Sequence, residues 1–266
     1  MTLASITLPA VSGPPEPGPA DFDLPDIFNV ADFGVTKPMI LVALSVVIIV
    51  ALFYSMARPA AVVPGRLQFA GELVYGFVRN GIARENIGSH DFKKFVPFLF
   101  SLFLFVLVNN FYGLIPVVQF PSMSHIGYPL AIAVLAWLVY NGAGIAKKGF
   151  LGYLKHETVP AGMKGPILLL LVPLEFLSNI LLRPVTLTLR LFATMFAGHL
   201  LVILFALGGE YLLLHSDPVL NKVAGVFSVV LAIGISFLEI LIMFLQAYVF
   251  TLLTSMYISE AIADEH

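Results

Sequence analysis

Residues 95–146 carry no acidic or basic side chain apart from His125. As one helix rising 1.5 Å per residue this stretch would reach ~75–80 Å, far more than the ~30 Å hydrocarbon core of a bilayer. It must therefore turn back on itself. The turn-rich centre supplies the place: Pro121-Ser122-Met123-Ser124-His125, followed by Gly127 and Pro129. Two crossings result, about 95–118 and 128–146.

The rest of the chain has the same character. It is 59% hydrophobic and 11% charged, with a mean hydropathy of +0.96, outside the range of soluble globular domains. The expected fold class is an all-α polytopic membrane protein with about five crossings. Pro38 to Ala57 is uncharged over 20 residues and makes the first crossing. Arg58, Arg66, Arg79, Arg84, Lys93 and Lys94 then mark a cytoplasmic segment, which leaves the N-terminus outside. Within it, Leu67, Ala70, Val74, Phe77, Val78 and Ile82 recur at spacings of three and four, so an amphipathic helix over about 65–86 is expected on the inner surface. Lys147, Lys148, Lys155 and Lys164 mark a second cytoplasmic loop.

Two long apolar tracts close the chain, about 166–214 and 219–258, separated by the turn signature His215-Ser216-Asp217-Pro218. Each would run ~60–70 Å if helical. They are expected as a long, tilted antiparallel hairpin that tilts steeply, breaks at Pro173, Pro184 or Gly198, or extends beyond the bilayer. Residues 261–266 then form a cytoplasmic tail, and 38–260 a single membrane domain. Residues 1–37 are different material, with Pro14, Pro15, Pro17, Pro19 and Pro25, five acidic groups, and no basic side chain before Lys37. They read as an extracytoplasmic segment, disordered to about residue 25, without the basic start of a signal peptide or the arginine-rich pattern of a transit peptide.

With no cysteine, the chain has no disulfide and no thiolate chemistry, and its net charge of −2 argues against a nucleic-acid partner. No H-E-x-x-H, G-x-S-x-G or phosphate-cradling glycine loop occurs, so neither cofactor nor metal is expected.

Chemistry therefore rests on polar side chains inside the apolar tracts. Arg190 is the only residue of Leu187 to Gly209 charged at every physiological pH. Burying it in lipid costs at least ~2.5–3.5 kcal/mol, and its pKa is too high for it to escape by deprotonation. It must face protein, water or a counter-ion. Arg183, beside Pro184, reads instead as an arginine reaching back to the interface.

His199, Glu239 and Gln246 accompany Arg190, with Glu175 near the entrance of the first tract. In an antiparallel hairpin, residues at one depth lie equally far from the turn. Arg190 and Gln246 stand 28 residues either side of position 218, and His199 and Glu239 20 either side of position 219. Glu239 and Gln246 share a helical face with Ser236 and Met243 nearby, whereas Arg190 and His199, nine residues apart, point to opposite sides. An imidazole beside a buried carboxylate can pass protons near neutral pH. A hydrogen-bonded pair that locks the hairpin is the open alternative, and one His with one Glu falls short of a metal-ligand set. Asn109, Asn110, Tyr112 and Gln119 either line an aqueous path or pair within the bundle.

Three segments carry a family resemblance: RPVTLTLRLFATMFAGH (Arg183 to His199), FLEILIMFLQAYVFTLLTSMYIS (Phe237 to Ser259) and NNFYGLIP (Asn109 to Pro116). With the crossing pattern they make roughly residues 25–260 resemble subunit a of F-type ATP synthases. That resemblance implies a stationary, non-catalytic membrane subunit of the proton-transporting complex, in a bacterial plasma membrane. Its partners are then a c-ring proteolipid oligomer, peripheral-stalk b subunits, the rest of the synthase, and lipid. It further implies that Arg190 faces the ring carboxylate, and that His199, Glu239, Gln246 and Thr194 form the outer proton path, with Glu175 a candidate on the cytoplasmic side. Asn109, Asn110 and Ser236 are candidate channel-lining residues. In one branch of the family the acid and the imidazole of the His199–Glu239 pair are exchanged, Thr194 stands where asparagine is often found, and Glu175 lies one residue from the family's acid. A proton-coupled secondary transporter is the competing reading, against which no internal repeat is found. A purely structural scaffold leaves Arg190 unexplained.

Overall fold

A computed structural model describes residues 18, 28–30, 33–57, 65–115, 118, 120–159, 168–216 and 218–263. Gln119, Asp217, Lys164 and the last three residues lie outside this set, as does nearly all of the acidic N-terminal segment.

Five helical segments are long and apolar enough to cross a membrane: Lys37–Ser55, Phe92–Phe111, Gly127–Lys148, Leu170–Leu214 and Val219–Ile262. In chain order the helices are α1 (Lys37–Ala57), α2 (Arg66–Gly76), α3 (Glu85–Ile87), α4 (Phe92–Phe111), α5 (Gly127–Lys148), α6 (Phe150–Thr158), α7 (Leu168–Phe176), α8 (Arg183–Leu214) and α9 (Val219–Ile262). Two π-helical stretches, Phe77–Arg84 and Leu177–Leu182, join α2 to α3 and α7 to α8. Ahead of α1 stands a short antiparallel ribbon, β1 (Phe28–Val30) with β2 (Phe33–Val35), in which Asn29 pairs with Gly34. An all-helical expectation did not include it.

The chain divides into two compact units, one built on Ala197–Glu239 and the other on Pro25–Phe196 with Ile240–His266. In the larger unit α4 is the central helix: half of its apolar window is buried, against 17% for each of the last two spans. Lipid tails are as apolar as Leu or Phe, so the interior is held by close packing rather than by exclusion from water. Leu99, Phe100, Phe103 and Val106 of α4 are buried in the unit's core, at no more than 2% exposure. The stretch over 77–84 packs Val78, Ile82 and Ala83 into this core. Phe77 meets the rings of Phe103, Phe244 and Tyr248 at centroid distances of 6.0, 6.2 and 5.6 Å. The amphipathic segment is therefore docked on the bundle along one side, while Ala70 and Phe69 remain exposed.

Helix α4 ends at Phe111, short of the 118 expected, because the chain turns at Tyr112 and Gly113. A Cβ on Gly113 would press on Pro121 and on the Met243 methyl at 3.3 Å. Between α5 and α6 the chain passes through Gly149 at φ +76, a left-handed conformation that side chains rarely adopt. Helix α6 lies in the segment read as a cytoplasmic loop from Lys147, Lys148, Lys155 and Lys164.

In the smaller unit the two long helices approach closely at a pair of glycines. A Cβ on Gly209 would lie 2.8 Å from Val229 Cγ2 and 3.2 Å from the Gly225 carbonyl, and one on Gly225 would lie 2.9 Å from Leu213 Cγ. Small residues permit this backbone approach. Ser228 Oγ adds a hydrogen bond to the Phe205 carbonyl at 2.7 Å. The last tracts are thus a hairpin of long helices. The first of them runs from Leu168 to Leu214 through Pro173, Pro184 and Gly198, interrupted only by the π stretch.

Candidate functional site

Helix α8 sorts its residues by face. Leu187, Leu191 and Met195 form a stripe with at most 1% exposure that enters the core. Thr186, Arg190, Ala193, Ala197 and Leu201, at spacings of three and four, form an exposed stripe. Arg190 lies on it, and among the described residues its side chain has no ion pair. The flanking threonines do not supply a counter-ion. Thr186 Oγ1 donates to the Arg183 carbonyl at 2.9 Å, and Thr188 Oγ1 to that of Pro184 at 2.7 Å. Thr194 Oγ1 donates to the carbonyls of Arg190 and Leu191 at 2.8 and 3.1 Å. Such bonds satisfy a hydroxyl in lipid from its own helix. The π stretch ahead of α8 is braced by Trp137 Nε1, which donates to the Ile180 carbonyl at 2.7 Å. π-Helical turns concentrate at functional sites.

His199 and Glu239, at 7% and 5% exposure, are both buried in the smaller unit. Glu239 Oε1 lies 3.4 Å from where a Gly198 Cβ would stand, so the missing side chain lets the carboxylate rest against α8 one residue from the imidazole. Oε1 itself is buried without a hydrogen-bond partner. A carboxylate oxygen in that state is costly unless a proton or water completes it. Ser236 Oγ, one turn earlier, donates to the Ala232 carbonyl at 2.8 Å.

Gln246 is buried in the larger unit, and its Nε2 has no acceptor. Asn109 and Asn110 pair within the bundle: Asn109 Nδ2 donates to Ser45 Oγ on α1 at 2.9 Å and to the Phe105 carbonyl at 2.8 Å, and Asn110 Nδ2 to the Met243 carbonyl at 3.4 Å. Their Oδ1 atoms, and the Tyr112 hydroxyl, are buried without partners.

A second polar cluster escaped sequence reasoning. Arg183 is held by partners. Its side chain, 11% exposed, holds Glu260 Oε1 at 3.0 Å through Nη2, while Nη1 lies 3.6 Å from Glu157 Oε2. The guanidinium sits over the Tyr257 ring at 4.9 Å, and Nη2 also donates to Asn179 Oδ1 at 3.0 Å. Asn179 in turn donates from Nδ2 to Glu175 Oε2 and to the Glu157 carbonyl, both at 3.0 Å. Glu175 thus belongs to a cluster joining the end of α6, the π stretch, the start of α8 and the end of α9. Burial pushes the Glu157 carboxyl above the ordinary range, and Arg183 opposes that shift. The available signal was Glu157 in an i, i+4 relation to Tyr153 on an otherwise basic loop.

A sequence model of the family described as ATP synthase A chain matches residues 39–259. The chain is 56% identical over 260 residues to a protein named ATP synthase subunit a from Nocardioides sp., covering 94% of each. A protein of the same name from Paenarthrobacter aurescens is 53% identical over 252 residues, again at 94% of each chain. One from Streptomyces lividans is 40% identical over 256 residues, covering 96% of this chain and 90% of its own.

Proposed function

This chain belongs to the ATP synthase A chain family, and from that premise we propose that it is the stationary proton-translocating subunit against which the ring of a rotary ATP synthase turns. The chain is a multi-pass membrane subunit of the synthase. Its finer role rests on one observation: Arg190 stands on the exposed stripe of a 45-residue apolar span, with no ion pair among the described residues. A fixed cation so placed calls for a partner that brings an anion to it. The neighbouring Ala193 and Ala197 leave room for another helix to approach closely.

In this reading the partner is the c-ring, and the anion its membrane-buried carboxylate. Arg190 favours the ionised carboxylate as it passes and blocks a direct proton leak, because its own proton is held too tightly to relay. Protons reach the ring from outside past Glu239, His199 and Gln246, and leave on the cytoplasmic side through a second, offset half-channel. Thr194 spends its hydroxyl on its own helix and shapes the path. Asn109, Asn110 and Ser236 hold the wall of the bundle. The chain performs no bond-making chemistry; peripheral-stalk b subunits keep it from turning. In a bacterial plasma membrane its N-terminus faces outward and its C-terminus the cytoplasm.

The test is ATP-driven proton pumping in inverted membrane vesicles at matched assembly. Arg190→Ala and Glu239→Gln are both expected to abolish pumping. Full pumping by both would return the hairpin to a structural role.

A further inference from the structure

We propose that Glu157 is the carboxyl group through which protons exchange with water at the cytoplasmic end, held in place by Arg183. The proposal rests on the half-channel reading above and supplies it with a residue. Three carboxylates, Glu157, Glu175 and Glu260, are gathered around the single guanidinium of Arg183, directly or through Asn179. Of the three only Glu157 is shut away from water, and burial of a carboxylate favours its protonated form.

Glu157 is the member built to hold a proton. Its side chain is 2% exposed, against 52% for Glu260, and its Oε1 is buried with no hydrogen-bond partner. The remaining oxygen faces Arg183 Nη1, which also lacks a hydrogen-bond acceptor. Burial favours the acid and Arg183 the anion, so both forms are accessible. Glu260 opens the cluster to water, and Asn179 links it inward to Glu175. Other groups acting on Glu157 are Glu260 on α9, which opposes its ionisation, and His156 on its own helix and Lys148 on α5, which favour it. The phenols of Tyr153 on α6 and Tyr140 on α5 complete its surroundings, and burial pushes the Tyr153 phenol far above its ordinary range, so it stays protonated.

The step is a proton transfer without redox change. A proton arriving from the ring side forms an O–H bond at Glu157 Oε1. That bond breaks as the proton passes to water or to the Glu260 carboxylate, leaving an anion beside Arg183. ATP-driven pumping runs the same step in reverse.

The experiment uses the intact synthase in inverted vesicles, whose bath is the cytoplasmic side, with bath pH varied for wild type, Glu157→Gln, Glu157→Asp and Arg190→Ala. Glutamine keeps the shape but cannot carry a proton, so pumping is expected to fall about tenfold or more with the complex recovered normally. Aspartate is expected to pump with its bath-pH profile displaced from wild type. Wild-type pumping and profile in Glu157→Gln overturns the proposal. If that variant is poorly recovered, Glu157→Asp decides, and an undisplaced profile overturns it. Normal pumping by Arg190→Ala sinks the underlying reading instead, whereas loss there with an unaffected Glu157→Gln sinks this inference alone.

Discussion

Replacing Arg183 by methionine, which keeps much of its length without the charge, isolates the worth of the buried cluster. Three groups lose a partner: Glu157 Oε2 at 3.6 Å, Glu260 Oε1 at 3.0 Å and Asn179 Oδ1 at 3.0 Å. Glu260 is half exposed and recovers by hydration. Asn179 Oδ1 costs about 1–3 kcal/mol as an unmet acceptor, at any pH. Glu157 is different, because an uncompensated buried charge costs about 3–5 kcal/mol. It can escape by taking a proton. From an ordinary carboxylate value that costs about 3–4 kcal/mol at pH 7 but only about 1.5 kcal/mol near pH 5.5. In the variant the folded-state carboxyl titrates above its unfolded value, so the folded protein holds the extra proton and its stability falls as pH rises. The assay is the heat-induced unfolding midpoint of the complex in nanodiscs at about pH 5.5 and about pH 8. Arg183→Met is expected to be much more destabilised at the higher pH. Adding Glu157→Gln is expected to remove most of that difference, a coupling of ~1 kcal/mol or more. An equal deficit at both pH values, or a double variant as unstable as the single at the higher pH, refutes the reasoning.

Other outcomes follow from the same geometry. Arg190→Lys is expected to lose coupled pumping despite keeping a cation, since a lysine in lipid can release its proton; wild-type coupling in that variant would contradict the role given to Arg190. Gly209→Val brings its Cβ to 2.8 Å from Val229 Cγ2 and 3.2 Å from the Gly225 carbonyl, and is expected to cost ~1–3 kcal/mol, read as reduced recovery of assembled complex. Trp137→Phe removes the donor to the Ile180 carbonyl and is expected to cost about 1 kcal/mol, measured by the unfolding midpoint. Ser45→Ala leaves Asn109 Nδ2 with only the Phe105 carbonyl, a loss of about 0.6 kcal/mol by the same measurement.

The crossings were legible because lipid imposes length and charge imposes side. Lysines and arginines at 58–94 and 147–164 and turn residues at 121–129 and 215–218 punctuate the apolar runs where the helices end. The contrast between Arg190 and Arg183 shows where legibility stops. Seven residues apart, they project from nearly one side of α8. Arg190 was recognisable because its own neighbours could not explain it. The partners of Arg183 were not legible because Glu157 and Glu260, 26 residues before it and 77 after, are brought to it only by packing. Likewise the equal spacing about the turn placed His199 and Glu239 at one level, but did not show that Gly198 makes room for the carboxylate. Helix α6 was missed because Lys155 and the lysines flanking the helix advertised a loop while Tyr153 and Glu157 turned inward.

The central claim is that the stripe carrying Arg190 faces a rotating ring of helices. The chain has no cysteine, so single cysteines at Ala193, Ala197 and Leu201 on that stripe can be compared with one at Phe227, 64% exposed on the smaller unit's α9 segment. The measurement is oxidative cross-linking to the proteolipid in the intact synthase, each pairing scanned along the proteolipid helix. The account predicts cross-links from the three stripe positions that stop ATP-driven rotation and are reversed with it on reduction. Stripe cysteines that never reach the proteolipid, in complexes that still pump protons, would contradict it.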